Sequence, residues 1–388
     1  MQLIILLDKR ILTNKFITRK NKIAEHHISK GAIGMELFNP LFSPDKLHKN
    51  FIQIQRDLQN MDRAELQRWC DGFPDRDNKL VKEFQTTFNS SFWEIYLYAL
   101  FREIELKIDW SFPSPDFVVE FNDQKVVIEA TTASAANGKT PEWEKDFFEE
   151  MPTRFKAMNI ESIIRLSNAI CSKYRKYKDI YSKLEHVKSR PFVIAVAPFE
   201  QPYFNIQYDT PIKALLYDYY VDEDSYNDAP HLYPDGPLGV SLGHVEKDNG
   251  AEIELGFFED SRYSEISAIL LSTTATWGKV EAMSGNTNLK RFINSVWWSK
   301  KGNPVRRTSV IQEHNEKVRD GVQVFHNPYA SYPLDSDMFK RDGIVQIFSD
   351  PRTKKITFQR NGDCLMHRQT INVVTNESAT NFGKRSIT

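Results

Sequence analysis

The stretch from Pro115 to Thr131 constrains the fold of this chain more than any other segment. Two apolar runs, one opening at Phe117 and one at Val126, flank the polar triplet Asn122-Asp123-Gln124. Runs of this length on either side of a short polar triplet predict two strands paired through a tight turn. Side chains alternate along a strand. Val127, Glu129 and Thr131 therefore share one face, and Val126, Ile128 and Ala130 share the other, toward packed helices. Pairing through the turn brings residues near 116 opposite residues near 129 and 130. Asp116 and Glu129 then meet at one edge of a sheet.

The flanking segments predict helices and one more strand. Ser43 to Cys70 has a helical apolar pattern, and Asp71-Gly72-Phe73-Pro74-Asp75 is a turn. Lys79 to Phe88 reads as a second helical stretch. Ser90 or Ser91 is expected to cap a helix over Phe92 to Leu106, apolar nearly all round and so buried. A polar loop through Gly138 leads to an acidic helix at Glu142–Glu150, then to a long helix at Ile160–Leu184. Pro191 to Ala197 is a continuous apolar run that suits a buried central strand. Helix, strand, strand, helix, strand is the order of an α/β layer.

The second half is less regular. Ile212–Tyr220 reads as helix, Gly239–Phe258 as two strands around Lys247-Asp248-Asn249-Gly250, and Ile266–Leu271 as a buried strand. Residues 344–375 read as short strands turning at Asp350-Pro351 and Asn361-Gly362-Asp363. The acidic, proline-containing stretch Tyr219–Pro237 is the expected insertion or boundary. Residues 1–34 are basic and without clear periodicity; they are expected to be a leader, or to precede a native start at Met35.

Net charge is −1, from 51 basic and 52 acidic residues, so a nucleic-acid surface would have to be local. Cys70, Cys171 and Cys364 lie far apart and form no framework, which fits reduced thiols and a cytoplasmic location. No apolar run reaches the ~20 residues that span a bilayer. The histidines have no zinc spacing, and serine-hydrolase, P-loop and dinucleotide signatures are absent.

The acids carry the chemistry. Mg²⁺ and Mn²⁺ take oxygen ligands, and such ions activate water and neutralise a phosphodiester under in-line attack. Glu94 is the third acid, on the helix with hardly any polar face. A lone buried carboxylate costs several kcal/mol or takes a proton. A metal or water network would hold it there, and so would a hydrogen bond to a tyrosine or a backbone amide.

An acid on a buried helix, then Pro115-Asp116, then Glu129-Ala130-Thr131 on an apolar strand, resembles the PD-(D/E)XK, or restriction-endonuclease-like, nucleases. The resemblance covers roughly residues 80–200. It implies an α-β-β-β-α-β core with a mixed sheet flanked by helices. Within it, residues 35–78 are an N-terminal helical segment and 79–200 the nuclease core. Residues 201–388 are an α+β extension that completes the core and binds substrate or a partner. Asp116, Glu129 and the Ala130 carbonyl match the metal ligands of the family, and Glu94 its helix acid, acting directly or through water. The implied function is hydrolysis of nucleic acid, DNA ahead of RNA, in bacterial restriction or anti-phage defence, as a homodimer or within a larger defence complex.

One position departs from the family pattern. Thr131 stands where the third motif residue is a lysine, which orients the attacking water and stabilises transition-state charge. Lys173 is the expected replacement, because Leu166, Ile170, Lys173 and Tyr177 share a helix face; the alternative is a lysine snorkelling at that face's edge. Lys125 and Lys139 are weaker replacements. Thr131 also leaves open a catalytically silent member of the fold that binds nucleic acid or acts as a scaffold. Basic residues and Tyr174, Tyr177 and Tyr181 interleave on the same helix, as either a nucleic-acid contact or a solvated face. Lys300 to Arg307 is a second basic patch open to the same two readings.

Overall fold

The computed structural model describes residues 35–145 and 152–373. The leader at 1–34 and most of the acidic helix expected after Glu144 lie outside the described residues; Glu142–Glu144 is one turn of 3₁₀ helix.

Helices α1 (Lys49–Ile54), α2 (Asn60–Cys70), α3 (Leu80–Thr86) and α4 (Asn89–Glu103) open the described chain. Strands β1 (Lys107–Ile108), β2 (Phe117–Phe121) and β3 (Gln124–Ala133) follow, then α5 (Phe155–Asp179) and β4 (Phe192–Pro198). Beyond these come α6 (Thr210–Tyr217), β5 (Tyr220–Val221), α7 (Glu223–Asp228), β6 (Gly239–Val240), β7 (His244–Glu246) and β8 (Glu252–Glu254). The chain continues through β9 (Ala268–Leu271), α8 (Trp277–Met283), β10 (Lys290–Trp298) and β11 (Pro304–Val310). It closes with β12 (Gln323–His326), β13 (Val345–Ser349), β14 (Ile356–Arg360) and β15 (Cys364–Val373).

Eight strands form one mixed sheet in the order β1-β2-β3-β4-β9-β12-β13-β14. β3, β4 and β9 run parallel at its centre, and every residue of β4 is buried. That is why Phe192 to Pro198 is uniformly apolar rather than alternating. One face packs on α4: Val126, Ile128 and Ala130 share a core with Trp93, Leu97 and Phe101, and the Trp93 indole donates to the Ala195 carbonyl at 3.0 Å. The other face packs on α5, where Val127, Ile194 and Val196 meet Ile163, Leu166 and Ile170. The protein is thus α/β, a large mixed sheet between helices. Among the described residues no helix is long and apolar enough to cross a membrane.

Several expectations shift. Helix α4 begins at Asn89, so Ser90 and Ser91 lie inside it and neither caps it. The break from α3 is made by Phe88, at φ 57°, whose ring packs between Phe84 and Phe92; aromatic packing replaces a polar cap. The long helix starts at Phe155, earlier than Ile160, because the Asp224 carboxylate accepts from the Phe155 and Lys156 amides, both at 2.9 Å. The Tyr219–Pro237 stretch that supplies Asp224 is therefore pinned to α5 and is no loose boundary. Within Gly239–Phe258 only β7 and β8 form the expected hairpin; Gly239 and Val240 pair with Tyr220 and Val221 instead. The large sheet also runs through both the expected core and the expected extension.

A second sheet, β11-β10-β15, was not anticipated. Charge buried behind it ties it to the rest of the molecule. Arg291 on β10 donates to both oxygens of Asp62 on α2, at 2.8 and 3.0 Å, and to Glu281 on α8 at 3.3 Å. Lys279 and Arg368 both reach Glu316 Oε1, at 2.6 and 2.7 Å. These groups are almost completely buried, so each depends on its partners. Arg291→Met leaves Asp62 buried without its cation, with only the neutral donors Ser284 and Asn286. It is expected to lower stability by about 3–5 kcal/mol, read as a shifted urea-unfolding midpoint.

Candidate functional site

The site begins at the turn of the β2–β3 hairpin. Asn122 and Asp123 both have positive φ, 48° and 61°, the requirement of a two-residue turn whose twist matches its strands. The turn sets a register in which Phe117 faces Ile128. Asp116, one residue earlier, lies beside Glu129, and its Oδ2 accepts from the Ala130 amide at 2.7 Å. The two acids therefore meet at the position the alternation and turn imply.

Glu129 has no exposed surface. Its Oε1 accepts from Lys173 at 2.7 Å and Lys176 at 3.0 Å, while its Oε2 is buried without a hydrogen-bond partner. The buried Tyr181 side chain stands against the same carboxylate, but its hydroxyl makes no hydrogen bond of good geometry. Burial pushes the Glu129 carboxyl up; Lys173 and Lys176 outweigh it and hold the group below its ordinary value.

Both lysines come from one turn of α5. Ile163, Leu166, Ile170, Tyr174 and Tyr177 are buried along its inner face, and Lys173 and Lys176 sit at the margin of that face, three residues apart. Lys173 is thus the inward-reaching lysine expected from its position. Lys176 was not anticipated in the site; the i, i+3 spacing from Lys173 is the signal that could have found it. Lys173 is the more enclosed, its side chain 23% exposed against 43% for Lys176. Lys125 and Lys139 are committed elsewhere, to Asp109 at 2.5 Å and to Asp248 at 3.4 Å.

Glu94, on the second turn of α4, lies within electrostatic reach of these groups. Burial and the Asp116 charge push its carboxyl up to about 8, with Lys173 pulling the other way. It makes no hydrogen bond to a tyrosine or an amide among the described residues. Asp116 is pushed up to about 6, by burial first and then by Glu129, against the pull of Lys173 and the Ala130 amide. Thr131 is half-buried on the Glu129 face, opposite Val196 in the β3–β4 ladder.

The expected ligand set is not closed. Among the described residues no three His, Cys, Asp or Glu side chains stand together as a metal-holding group. Two of the acid oxygens are already engaged: Lys173 and Lys176 donate to Glu129 Oε1, and the Ala130 amide donates to Asp116 Oδ2. The tyrosines of α5 and of the turn after it follow the second of their two readings, packed beneath a solvated face. Tyr174 donates to Glu265, Tyr177 stacks on Phe192 and Tyr181 is buried, so none is presented to a base. Arg175 and Lys178 remain exposed on that helix, and Lys183 in the 3₁₀ turn after it. In the second basic patch, Lys300 and Lys301 are exposed at the β10–β11 turn, while Arg307 pairs with Asp363 and lies over the Trp297 ring.

No protein-family model, no curated protein and no solved structure matches this chain.

The displaced Glu94 carboxyl has a consequence for stability. Its folded pKa is about 8 against 4.5 for the free group. Above pH 4.5 the unfolded chain gives up a proton that the folded chain keeps, so stability falls as pH rises toward 8 and levels off beyond it. In EDTA, Glu94→Gln is expected to flatten that slope and to gain on the order of 2–4 kcal/mol at pH 8. Parallel thermal-unfolding series of the two proteins from pH 5 to 9 check this.

Proposed function

We propose that this chain is a divalent-cation-dependent nuclease with a restriction-endonuclease-like core, acting on DNA ahead of RNA. One observation carries the reading: two strand acids paired across a hairpin, with a helix acid within electrostatic reach of them and an α5 lysine on Glu129. The element order α4, β1, β2, β3, α5, β4 supports it, being the α-β-β-β-α-β order of that core.

The donor set fits a hard cation. Glu129 Oε2 is a buried carboxylate oxygen without a partner, and Asp116 has one oxygen engaged by the Ala130 amide. Oxygen donors of this kind suit Mg²⁺ or Mn²⁺. Asp116, Glu129 and the Ala130 carbonyl would hold the ion, with Glu94 acting directly or through water. When bound, the cation supplies an acidified water and neutralises charge on the phosphodiester.

The remaining roles belong to the chain itself. Lys173 fixes the Glu129 carboxylate and brings a cation to the place where Thr131 has only a hydroxyl. Thr131 can hold a water by hydrogen bonding but supplies no charge. Lys176 neutralises Glu129 until a cation competes for it. Arg175 and Lys178, exposed on the same helix, and Lys183, exposed in the turn after it, offer phosphate contacts alongside the site.

A second reading has its own observation. Glu129 already has two lysine partners, so its charge is balanced without a metal. A catalytically silent nucleic-acid-binding or scaffold protein of the same fold would need nothing more. A role in bacterial restriction or anti-phage defence, a cytoplasmic location and a homodimer belong to the nuclease proposal and rest on the family resemblance.

The two readings separate on single- and double-stranded DNA and RNA incubated with Mg²⁺, Mn²⁺ or EDTA. The nuclease reading expects cleavage that needs metal and falls by at least about 100-fold in Glu129→Ala. Lys173→Ala is expected to lower kcat by about 10²–10³-fold. Binding with no cleavage under any metal would establish the silent reading instead.

A further inference from the structure

Two ammonium groups share Glu129 Oε1, and they do not hold it equally. Lys173 donates at 2.7 Å from a side chain 23% exposed, and Lys176 at 3.0 Å from one 43% exposed. Lys173 also acts on Asp116 and Glu94, so three acids share it; Lys176 acts on Asp116 more weakly. Lys176 has a second contact of another kind. Its ammonium lies 4.8 Å from the centre of the Tyr181 ring, inside the ~6 Å reach of a cation–π contact. That ring is held in place by burial, in the same apolar core as Tyr177 and Phe192. Lys176 therefore touches two seats at once, a carboxylate oxygen and an aromatic face.

We propose that Lys176 is a built-in competitor for the divalent cation: the cation drives Lys176, and not Lys173, off Glu129, and the Tyr181 ring receives the displaced ammonium. The proposal rests on the cation-dependent reading of the site and names what regulates it. Charge requires that one ammonium move. The two lysines already carry as much positive charge as Glu129 and Asp116 carry negative. A dication on the same acids brings like charges within a few ångströms of one another where little water screens them. Geometry decides which ammonium moves. Lys173 has no hydrogen-bond partner but Glu129 among the described residues, and leaving it would also separate Lys173 from Asp116 and Glu94. Lys176 keeps the negative face of the Tyr181 ring and gains water. Its flexible four-carbon stem lets the ammonium pass from oxygen to ring while α5 stays where its apolar face holds it. Lys176 thereby sets the cation concentration at which the site fills.

The test uses the full chain without nucleic acid. Mn²⁺ binding is measured by calorimetry at one neutral pH. Lysine accessibility is measured in EDTA and in Mn²⁺, by labelling with N-hydroxysuccinimidyl acetate and peptide mass spectrometry. Lys176→Met keeps the apolar stem over Tyr181 and removes the charge; it is expected to bind Mn²⁺ about 10-fold more tightly. Lys176→Arg keeps the charge and is expected to bind Mn²⁺ as the parent does. Glu129→Gln is expected to lose the site. In the parent, Mn²⁺ is expected to raise the labelling of Lys176 and to leave that of Lys173 unchanged. In Glu129→Gln, Lys176 is expected to label as readily in EDTA as in Mn²⁺.

Mn²⁺ affinity that is unchanged or weakened in Lys176→Met overturns the proposal and leaves the cation-dependent reading standing. So does labelling that rises at Lys173 in place of Lys176, or that Mn²⁺ does not change at Lys176. Equal gains in affinity from Lys176→Met and Lys176→Arg would trace to a loosened helix rather than to charge, and overturn it too. A parent without any Mn²⁺ site that Glu129→Gln removes overturns both the proposal and the cation-dependent reading.

Discussion

A carboxylate with no exposed surface inside a sheet is tolerable only when cations accompany it, and Glu129 receives two from a single helical turn. Removing both charges from water costs several kcal/mol per ion, recovered only through close, well-directed contacts. That requirement fixes more than one side chain. It sets the rotation of α5 over β3, because Lys173 and Lys176 reach one oxygen only if Leu166, Ile170 and Tyr177 face the sheet. It also leaves the second oxygen of Glu129 without a partner, next to Asp116. The polar site and the apolar packing of α5 are thus one arrangement.

The two faces of the large sheet divide their work accordingly. The α4 face is almost purely apolar and aromatic, with Trp93, Tyr96 and Phe101 buried against strands. Glu94 is the exception, on the second turn of that helix. The α5 face carries the charges. Behind the smaller sheet the same physics recurs, with Arg291, Lys279 and Arg368 each matched to carboxylates in the interior. At both of these places buried charge joins elements far apart in sequence.

The hairpin and the two strand acids were legible because a two-residue turn and a period of two leave little freedom. β4 was legible for the opposite reason, as an unbroken apolar run between prolines. Lys173 could be placed from the helical face it shares with Leu166 and Ile170. The smaller sheet could not be seen: the inward positions of β10 include Arg291 and Ser295, which erase the apolar alternation that marks a strand. Their partners are Asp62, Glu281 and Arg307, distant in sequence or on another strand, and no local pattern announces such pairs. The start of α4 was misplaced because polar caps are the usual signal, whereas here Phe88 ends one helix and Asn89 begins the next. The metal set was expected from the family resemblance, and a motif does not reveal that two lysines already hold Glu129.

The order of strands in the large sheet has a consequence for how the chain is made. β4 is flanked by β3, which precedes it, and by β9, which is not synthesised until Ala268. At a translation speed of about 5–20 residues per second, the wait from Pro198 to Ala268 lasts several seconds or more. Throughout that interval the nascent chain carries a fully apolar strand with one open edge, the kind of surface that recruits foreign strands. The intervening α6 and the β7–β8 hairpin emerge during this gap. Leu215, Leu216 and Ile253 share a core with Ile194 and Val196, so these elements can cover the face of β4 before β9 arrives to close its edge.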